Sequence, residues 1–201
     1  MKTGLLFSGG MDSLALAWWK RPDVAFTLNY GQLAAQAEIA AASAVSKRLG
    51  IEHHIIEIDC RSLGSGDMAG TNADANAPES DWWPYRNQML ISLAAMKAIG
   101  LSVTELWLGT VSSDGSHKDG TPAFVRAMNA LMVIQEGGMQ IKAPAIHIST
   151  EELVRQSGVP PELLAWAHSC HTSNVPCGHC RGCNKYFAVL DVVGYDLDRP
   201  R

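Results

Sequence analysis

The sequence has few charged residues and no long hydrophobic run. Charged side chains make up 18% of the 201 residues and hydrophobic ones 47%, a composition that excludes a disordered chain. Sixteen basic against twenty acidic residues leave a net charge of -4, which argues against a basic surface for non-specific nucleic-acid binding. No apolar stretch reaches the roughly 18 residues of a membrane helix. We therefore expect neither a membrane nor a direct nucleic-acid partner.

The chain also lacks internal repeats, low-complexity tracts and the features of a secretory signal. After Met1 the sequence passes within a few residues into a glycine turn, where a signal peptide would continue as an apolar stretch. These absences lead us to expect a cytoplasmic protein, with one domain or one domain and a small appendage.

Cysteine is scarce and unevenly distributed. Cys60 stands alone, whereas the other four cysteines lie within fourteen residues. These four are Cys170, Cys177, Cys180 and Cys183. In a reducing compartment such a cluster is typical of a metal site rather than of disulfides, and four thiolates suit a closed structural zinc site. An iron–sulfur cluster also takes four cysteines, and His168, His171 and His179 lie near enough in sequence to act as substitute ligands.

Strand and helix signals alternate along the chain. Short apolar runs predict strands at 3–7, 24–29, 51–58 and 105–108. Helices are predicted at 12–19, 33–49, 86–99, 122–135, after Ser149, after Pro160 and at 184–193. This alternation implies an α/β fold, a parallel sheet with helices on both faces. Residues 60–83 lack an apolar period and predict a long loop, a kind that is usually functional or mobile.

The turn after the first strand has the chemistry of a phosphate site. It reads Ser8-Gly9-Gly10-Met11-Asp12-Ser13 and opens the first helix. Two glycines let the backbone approach an anion, and a helix N-terminus adds N–H groups and a positive dipole end. Asp12 can hold Mg²⁺ beside bound phosphates. The turn is neither a Walker loop nor a dinucleotide-binding glycine turn, although the pattern alone also fits an ordinary glycine turn.

Several motifs together resemble a known family. The loop 8–13 resembles the Ser-Gly-Gly-x-Asp-Ser motif of the N-type ATP pyrophosphatases, or PP-loop superfamily, which cleave ATP between its α and β phosphates. Within that superfamily, the spaced cysteines are similar to the zinc motif of the 7-cyano-7-deazaguanine synthases. Pro84-Tyr85-Arg86-Asn87 resembles their Pro-x-Arg-Asn motif, and Tyr30-Gly31-Gln32 with Glu38 resembles their segment after the second strand.

This resemblance runs from residue 4 to about residue 190. It implies an adenine nucleotide alpha hydrolase-like fold for residues 1–165, with a zinc-binding segment, residues 166–201, packed on it. It also implies ATP, Mg²⁺ and Zn²⁺ as cofactors and a homodimer as the assembly.

The resemblance assigns roles to individual residues. Those implied to bind the nucleotide are Phe7, Ser8, Gly9, Gly10, Met11, Asp12, Ser13, Leu28, Asn29, Arg86 and Gly109. Those implied to bind the substrate are Tyr30, Gln32, Trp82, Asn87, Asp114, Asp119 and Phe124. Catalytic roles are expected for Asp12, Arg86 and Lys118, and zinc ligation for the four clustered cysteines.

The chain departs from the family pattern at two places. His117-Lys118-Asp119-Gly120 stands where the family has a Tyr-Pro-Asp-type segment, and Thr150 stands where the family has a lysine. Such a lysine would neutralise charge that develops on the transferred phosphate. We expect Lys118 or Lys142 to replace it.

The function implied by the resemblance is ATP-dependent adenylation of a 7-deazaguanine carboxylate followed by attack of an amine. In the family, a ligase reaction converts 7-carboxy-7-deazaguanine to the amide with ammonia, and a second adenylation dehydrates the amide to the nitrile. This activity belongs to queuosine biosynthesis, and its partners are the small deazapurine substrate and ATP.

Three alternatives stay open at the level of sequence. The first is a diverged member, like those of bacterial anti-phage operons, that stops at the amide or joins the deazaguanine to a protein amine. The second is a tRNA thiolase, against which the acidic composition and the lack of a basic tail count. The third is a zinc-stabilised nucleotide-binding module without catalysis.

Overall fold

A computed structural model describes residues 1–115 and 117–194. In these residues strands and helices alternate, as the sequence predicts. The strands are β1 (Lys2–Leu6), β2 (Val24–Asn29), β3 (Glu52–Glu57), β4 (Val103–Trp107) and β5 (Gln140–Lys142). The α-helices are α1 (Met11–Lys20), α2 (Ala35–Leu49), α3 (Arg86–Ile99), α4 (Pro122–Val133), α5 (Thr150–Ser157), α6 (Pro161–Leu164) and α7 (Arg181–Val193).

The five strands form one parallel sheet in the order β3-β2-β1-β4-β5. Strand β1 is central, and its Leu5 lies opposite Ala25 of β2 on one side and Trp107 of β4 on the other. Chain progression along the sheet reverses at β1, because the chain first moves outward through β2 and β3 and then returns to β4. In open parallel sheets the carboxyl ends of the strands at such a reversal flank a ligand-binding crevice.

Hydrophobic residues pack on both faces of the sheet. On one face, Leu5 and Ala25 contact a core built from α1, α2, α5 and α7. On the other face, Phe26 and Leu106 contact a core built mainly from α3 and α4. Successive strand residues point to opposite faces, so the apolar runs that predicted strands supply both cores. The predicted α/β class with helices on both faces is confirmed.

The largest differences from the sequence prediction concern β5 and the start of α7, while other element ends shift by one or two residues. Strand β5 was not predicted, because three residues are too few to display a strand pattern. Helix α7 begins at Arg181 rather than at Asn184, because the Cys180 thiol caps it by accepting a hydrogen bond from Cys183 N at 3.4 Å.

The C-terminal helix is attached to the sheet domain through apolar and polar contacts. Val189 and Leu190 belong to the same core as α1, and the Arg155 guanidinium donates to the Val192 carbonyl at 2.8 Å. The predicted division at residue 165 stays a prediction, and residues 195–201 of the predicted segment lie outside the described residues. In the described part of the chain, every helix is too short or too polar to cross a bilayer.

We predict that Leu106→Ala destabilises the protein by about 2–5 kcal/mol, because Leu106 of β4 is fully buried in the core shared with α3 and α4 and its truncation leaves a cavity. The free energy of unfolding from denaturant titration measures this loss. The matched control is Leu131→Ala on α4, whose side chain is 47% exposed. Equal losses in the two variants would contradict the packing described above.

Candidate functional site

A cleft of about 520 Å³ opens at the carboxyl ends of β1, β2 and β4. Its walls come from loop 8–13, the start of α3, the loop after β4 and residues 168–186 near the C-terminus. The sheet reversal at β1 therefore creates the crevice, and the C-terminal segment closes one side of it. Its position matches the one expected for ligand sites in this class of sheet.

Loop 8–13 packs too tightly for a side chain at Gly9. Gly9 has φ +77°, and a Cβ there would lie 2.7 Å from the Glu38 carbonyl oxygen. Gly109 approaches from β4, and a Cβ there would lie 3.1 Å from Ser13 Cα. The two strand ends therefore meet backbone against backbone at the mouth of the cleft.

The N-terminus of α1 faces this cleft without a side-chain cap. Helix α1 starts at Met11, and Gly10 in the N-cap position offers no side-chain acceptor. Ser8 and Ser13 place their hydroxyl oxygens 3.2 Å apart beside it. Uncapped amides at the positive end of a helix dipole, next to two hydroxyls, form a site that suits an anion such as a phosphate.

Three charges meet beside the loop. The Lys185 ammonium donates to Asp12 Oδ2 at 2.9 Å and to Asp114 Oδ1 at 2.8 Å. Burial raises the pKa of Asp12, and the charge of Lys185 opposes that effect. Asp12 Oδ1 is buried and accepts no hydrogen bond from the described residues. Carboxylate oxygens are the ligands that Mg²⁺ prefers, so this unpartnered oxygen fits the predicted magnesium site.

Arg86 places a guanidinium on the opposite wall, at the first residue of α3. Its Nη1 donates to the Met68 thioether at 2.6 Å, a weak acceptor. Burial lowers the pKa of Arg86, but Tyr30 and nearby carboxylates outweigh burial and raise it. Within residues 1–115 and 117–194 no carboxylate lies within ion-pair distance of this guanidinium. A charged group held in this way is suited to bind an anionic ligand.

The predicted substrate residue Gln32 is used inside the fold. Its amide donates to the Leu28 carbonyl and to Glu38 Oε2, and its oxygen accepts from Tyr30 N. Burial raises the pKa of Glu38 to about 7, although the bond from Gln32 and the charge of Arg86 lower it. Gln32 thus fixes the end of β2 and positions Glu38 in the cleft wall.

A second polar cluster surrounds Asp81. His117 Nε2 lies 3.1 Å and Arg181 Nη1 3.3 Å from Asp81 Oδ1, while His171 Nδ1 lies 3.2 Å from Oδ2. Burial works to raise the pKa of Asp81, but the bond from His117 and the charges of His171 and Arg181 hold it well below its usual value. The cluster joins the 60–83 loop to the loop after β4 and to the C-terminal segment.

The four clustered cysteines converge as their spacing predicts. All four Sγ atoms lie within 4.8 Å of one another, with Cys170 and Cys180 at 3.9 Å and Cys177 and Cys183 at 4.0 Å. Sulfurs about 2.3 Å from a tetrahedral zinc ion would be about 3.8 Å apart, so these thiols fit such an ion.

The three nearby histidines have other partners. His168 Nε2 bonds the Ser173 carbonyl and His179 Nδ1 bonds the Cys177 carbonyl, while His171 Nδ1 lies 3.2 Å from Asp81 Oδ2. The metal donors in the described residues are therefore four sulfurs, a set that also suits an iron–sulfur cluster.

The structure brings many of the predicted ligand-binding residues into the cleft. Those that line it are Phe7, Ser8, Gly10, Met11, Asp12, Ser13, Leu28, Tyr30, Arg86, Asn87, Gly109 and Asp114. Those outside the lining are Gly9, Asn29, Gln32, Trp82, Lys118, Asp119 and Phe124. Asp119 instead accepts from Asn87 N at 3.2 Å, and the buried ring against Tyr30 is Trp83, with ring centroids 4.9 Å apart.

Neither lysine expected to replace the family lysine lines the cleft. Lys118 is exposed on a short 3₁₀ turn, so its predicted catalytic role stays untested. Lys142 pairs with Glu105 on the sheet edge, in a separate shallow depression.

Sequence reasoning missed that Asp81, His117, Arg181 and Lys185 line the cleft. The only signals were indirect: Asp81 lies in the long predicted loop near its end, and His117 lies in the departing segment. Arg181 and Lys185 lie in and just after the cysteine motif, where attention goes to the thiols.

Comparison with known proteins gives a consistent result. Residues 2–189 match the family model described as queuosine biosynthesis protein QueC. The chain is 32% identical to the 7-cyano-7-deazaguanine synthase of Desulforudis audaxviator, over 92% of this chain and 94% of the relative. It is 29% identical to that of Methanosarcina barkeri, over 91% and 90% respectively.

A solved structure shares the fold. NMN synthetase from Francisella tularensis superposes with a TM-score of 0.52 at 15% identity, covering 98% of this chain and 79% of that one. At this identity the likeness concerns the fold alone.

We predict that Cys177→Ser lowers both the metal content and the melting temperature, because it removes one of four converging thiols. Elemental analysis of purified protein and a thermal melt measure the two effects. The control is Cys60→Ser, which changes a buried thiol outside the cluster and is expected to keep the metal. Zinc at one ion per chain supports the structural reading, and iron with visible absorbance would refute it.

The raised pKa of Glu38 predicts a pH dependence of stability. Because Glu38 titrates near pH 7 in the folded protein and near 4.5 when unfolded, the folded state holds its proton more tightly between these values. The stability of the wild type relative to Glu38→Gln is therefore expected to be highest below pH 4.5 and to fall as pH rises through 7. Denaturant titrations at pH 5 and pH 8 measure it. The exposed Glu136→Gln serves as control, and a difference that is flat with pH would contradict the prediction.

Proposed function

The chain belongs to the QueC family of queuosine biosynthesis proteins, and from this premise we propose that it uses ATP to adenylate a 7-deazaguanine carboxylate, which an amine then attacks. One observation carries the proposal. An uncapped helix N-terminus, the Lys185 ammonium and the Arg86 guanidinium line one cleft at the sheet reversal. This arrangement suits a polyphosphate and the charge that moves along it during adenylation.

In the proposed reaction, ATP phosphates lie against loop 8–13 and Arg86 faces the α-phosphate. The substrate carboxylate oxygen forms a bond to the α-phosphorus, and the bond to the β-phosphate bridging oxygen breaks, which releases pyrophosphate. Arg86 stabilises the charge on the transferred phosphoryl group, while the amides of α1 hold the leaving pyrophosphate. Mg²⁺, held through Asp12, would neutralise phosphate charge.

The amine then attacks the carbonyl carbon of the adenylate, AMP leaves, and the amine loses a proton. For an amide product, the amide oxygen attacks the α-phosphorus of a second ATP and releases pyrophosphate, and loss of AMP and of both N–H protons then gives the nitrile. The chain's own part in these steps is positioning and charge stabilisation.

The apolar part of the cleft suits a planar heterocycle. Phe26 and Leu28 of β2, Leu90 of α3 and Leu108 at the end of β4 line it. The Asp81 cluster lies in the same cleft and offers histidine and arginine donors. Apolar walls with a few convergent polar groups are typical of small-molecule sites, and we assign the deazaguanine ring to this region.

A second candidate is a diverged member that stops at the amide or transfers the deazaguanine to a protein amine. The observation that favours it is Thr150, which stands where the resemblance implies a lysine and is buried, 1% exposed.

The proposal extends to a structural zinc ion and a homodimer, both on the family resemblance.

The test of this proposal is an ATP–pyrophosphate exchange assay with and without 7-carboxy-7-deazaguanine, followed by mass spectrometry of products made with ammonia. Exchange that requires the acid supports the proposal. An amide or a nitrile as the final product separates the two candidates. Exchange that is absent with the acid, in protein that binds ATP, would refute the substrate assignment.

In the same assay we predict that Arg86→Met lowers kcat by roughly 10²-fold and changes the KM for ATP much less, because the guanidinium contact strengthens as charge develops. Arg126→Met, at an exposed position on α4, is the matched control. An unchanged kcat with a raised KM would make Arg86 a group that binds ATP without stabilising the transition state.

A further inference from the structure

Lys185 lies in the second turn of α7 and reaches across the cleft wall to the phosphate loop. Its ammonium contacts Asp12 of α1 and Asp114 after β4 at 2.9 and 2.8 Å, and its side chain is 33% exposed. The residue also lines the cleft. An ammonium has three N–H donors, and the two carboxylates use two of them. The third is available to a ligand that enters the cleft.

Thr150 lies near the carboxylate of Asp12 as well. The Thr150 hydroxyl faces Asp12 and lies 3.3 Å from Ser113 Oγ. Thr150, at the start of α5, is the position at which the resemblance implies a lysine. The Lys185 ammonium contacts the same Asp12 carboxylate from a different helix, α7. Lys118 and Lys142 lie outside the cleft lining.

Charge balance gives this ammonium a consequence for anion binding. Two carboxyl groups, Asp12 and Asp114, share the single Lys185 ammonium beside loop 8–13. Without the lysine, two carboxylates would face an incoming polyphosphate, and their repulsion would be strong in a partly buried site. Lys185 therefore attracts an anion that binds beside loop 8–13 and offsets the repulsion of that anion by Asp12 and Asp114.

We propose that Lys185 binds the pyrophosphate portion of ATP and replaces, from α7, the lysine that the sequence lacks at Thr150. This inference rests on the proposed function for its reaction, but it concerns a contact that binding measurements test on their own. Cys180 caps α7 and Cys183 lies in its first turn, two residues before Lys185. The thiol cluster therefore sets the position from which this lysine reaches the phosphate.

The test compares four variants by calorimetric titration with pyrophosphate and with Mg-ATP. They are Lys185→Met, Lys185→Arg, the relocation variant Lys185→Met with Thr150→Lys, and the control Lys47→Met at an exposed site on α2. We expect Lys185→Met to weaken pyrophosphate binding by about tenfold or more. Lys185→Arg and the relocation variant should each recover part of that loss, and Lys47→Met should bind like the wild type.

Thermal melts and exchange kinetics separate phosphate binding from a structural role. If Lys185 only ties α7 to the cleft, Lys185→Met lowers the melting temperature and leaves the pyrophosphate affinity of the folded protein unchanged, which overturns the proposal. The proposal also fails if neither arginine nor the relocated lysine recovers affinity, since either one restores a positive charge.

Measurements on the wild type distinguish failure of the Lys185 proposal from failure of the proposed function. Wild-type protein that binds Mg-ATP but shows no exchange with 7-carboxy-7-deazaguanine refutes the proposed substrate, while the variant comparison still decides the role of Lys185. Wild-type protein without affinity for pyrophosphate or ATP overturns both proposals.

Discussion

The cleft depends on the position of one helix, α7, which connects the thiol cluster to the sheet domain. Arg181 and Lys185 lie four residues apart on it and therefore on one face. Arg181 pairs with Asp81 from the long loop, and Lys185 pairs with Asp12 and Asp114 from the two central strand ends. A shift of this helix would remove Arg181 from Asp81 and Lys185 from Asp12 and Asp114, and the loss of an ion-pair partner from a buried carboxylate is costly. The position of α7 therefore links the polar groups that the long loop and the two strand ends contribute to the cleft.

The packing of α7 explains how such precise placement is reached. Its first turn lies so close to the chain before it that a Cβ at Gly182 would stand 1.8 Å from the Ser169 carbonyl oxygen. The converging thiols fix the same turn, and Val189 and Leu190 anchor the other end in the core beside α1. A metal ion in the cluster would therefore stabilise the cleft without touching its ligand, by holding the cations of α7 in place.

The cleft combines fixed cations with carboxylates that are incompletely paired. Arg86 faces it without a bonded carboxylate in the described residues, and Asp12 keeps one buried oxygen without a partner. A buried oxygen without a hydrogen bond and a partly buried cation without a bonded carboxylate are costly in a structure that serves only stability. They are understandable in a site whose balance is completed by an anionic ligand and its metal ion, and this reasoning supports a polyphosphate as the occupant.

Local patterns of residues were enough to predict the features that involve only neighbours in the chain. Loop 8–13 and the cysteine motif each lie within one short stretch of sequence. The apolar runs predict strands and helices because apolar residues recur with a short period in each element. The contacts of Asp81, Arg181 and Lys185, and the internal hydrogen bonds of Gln32, became visible only in the folded chain. Their partners lie far away in the chain, up to 173 residues for Lys185 and Asp12, and no local pattern specifies which distant charges will meet. Sheet order and the placement of α7 set those encounters, because they alone fix which loops share the crevice.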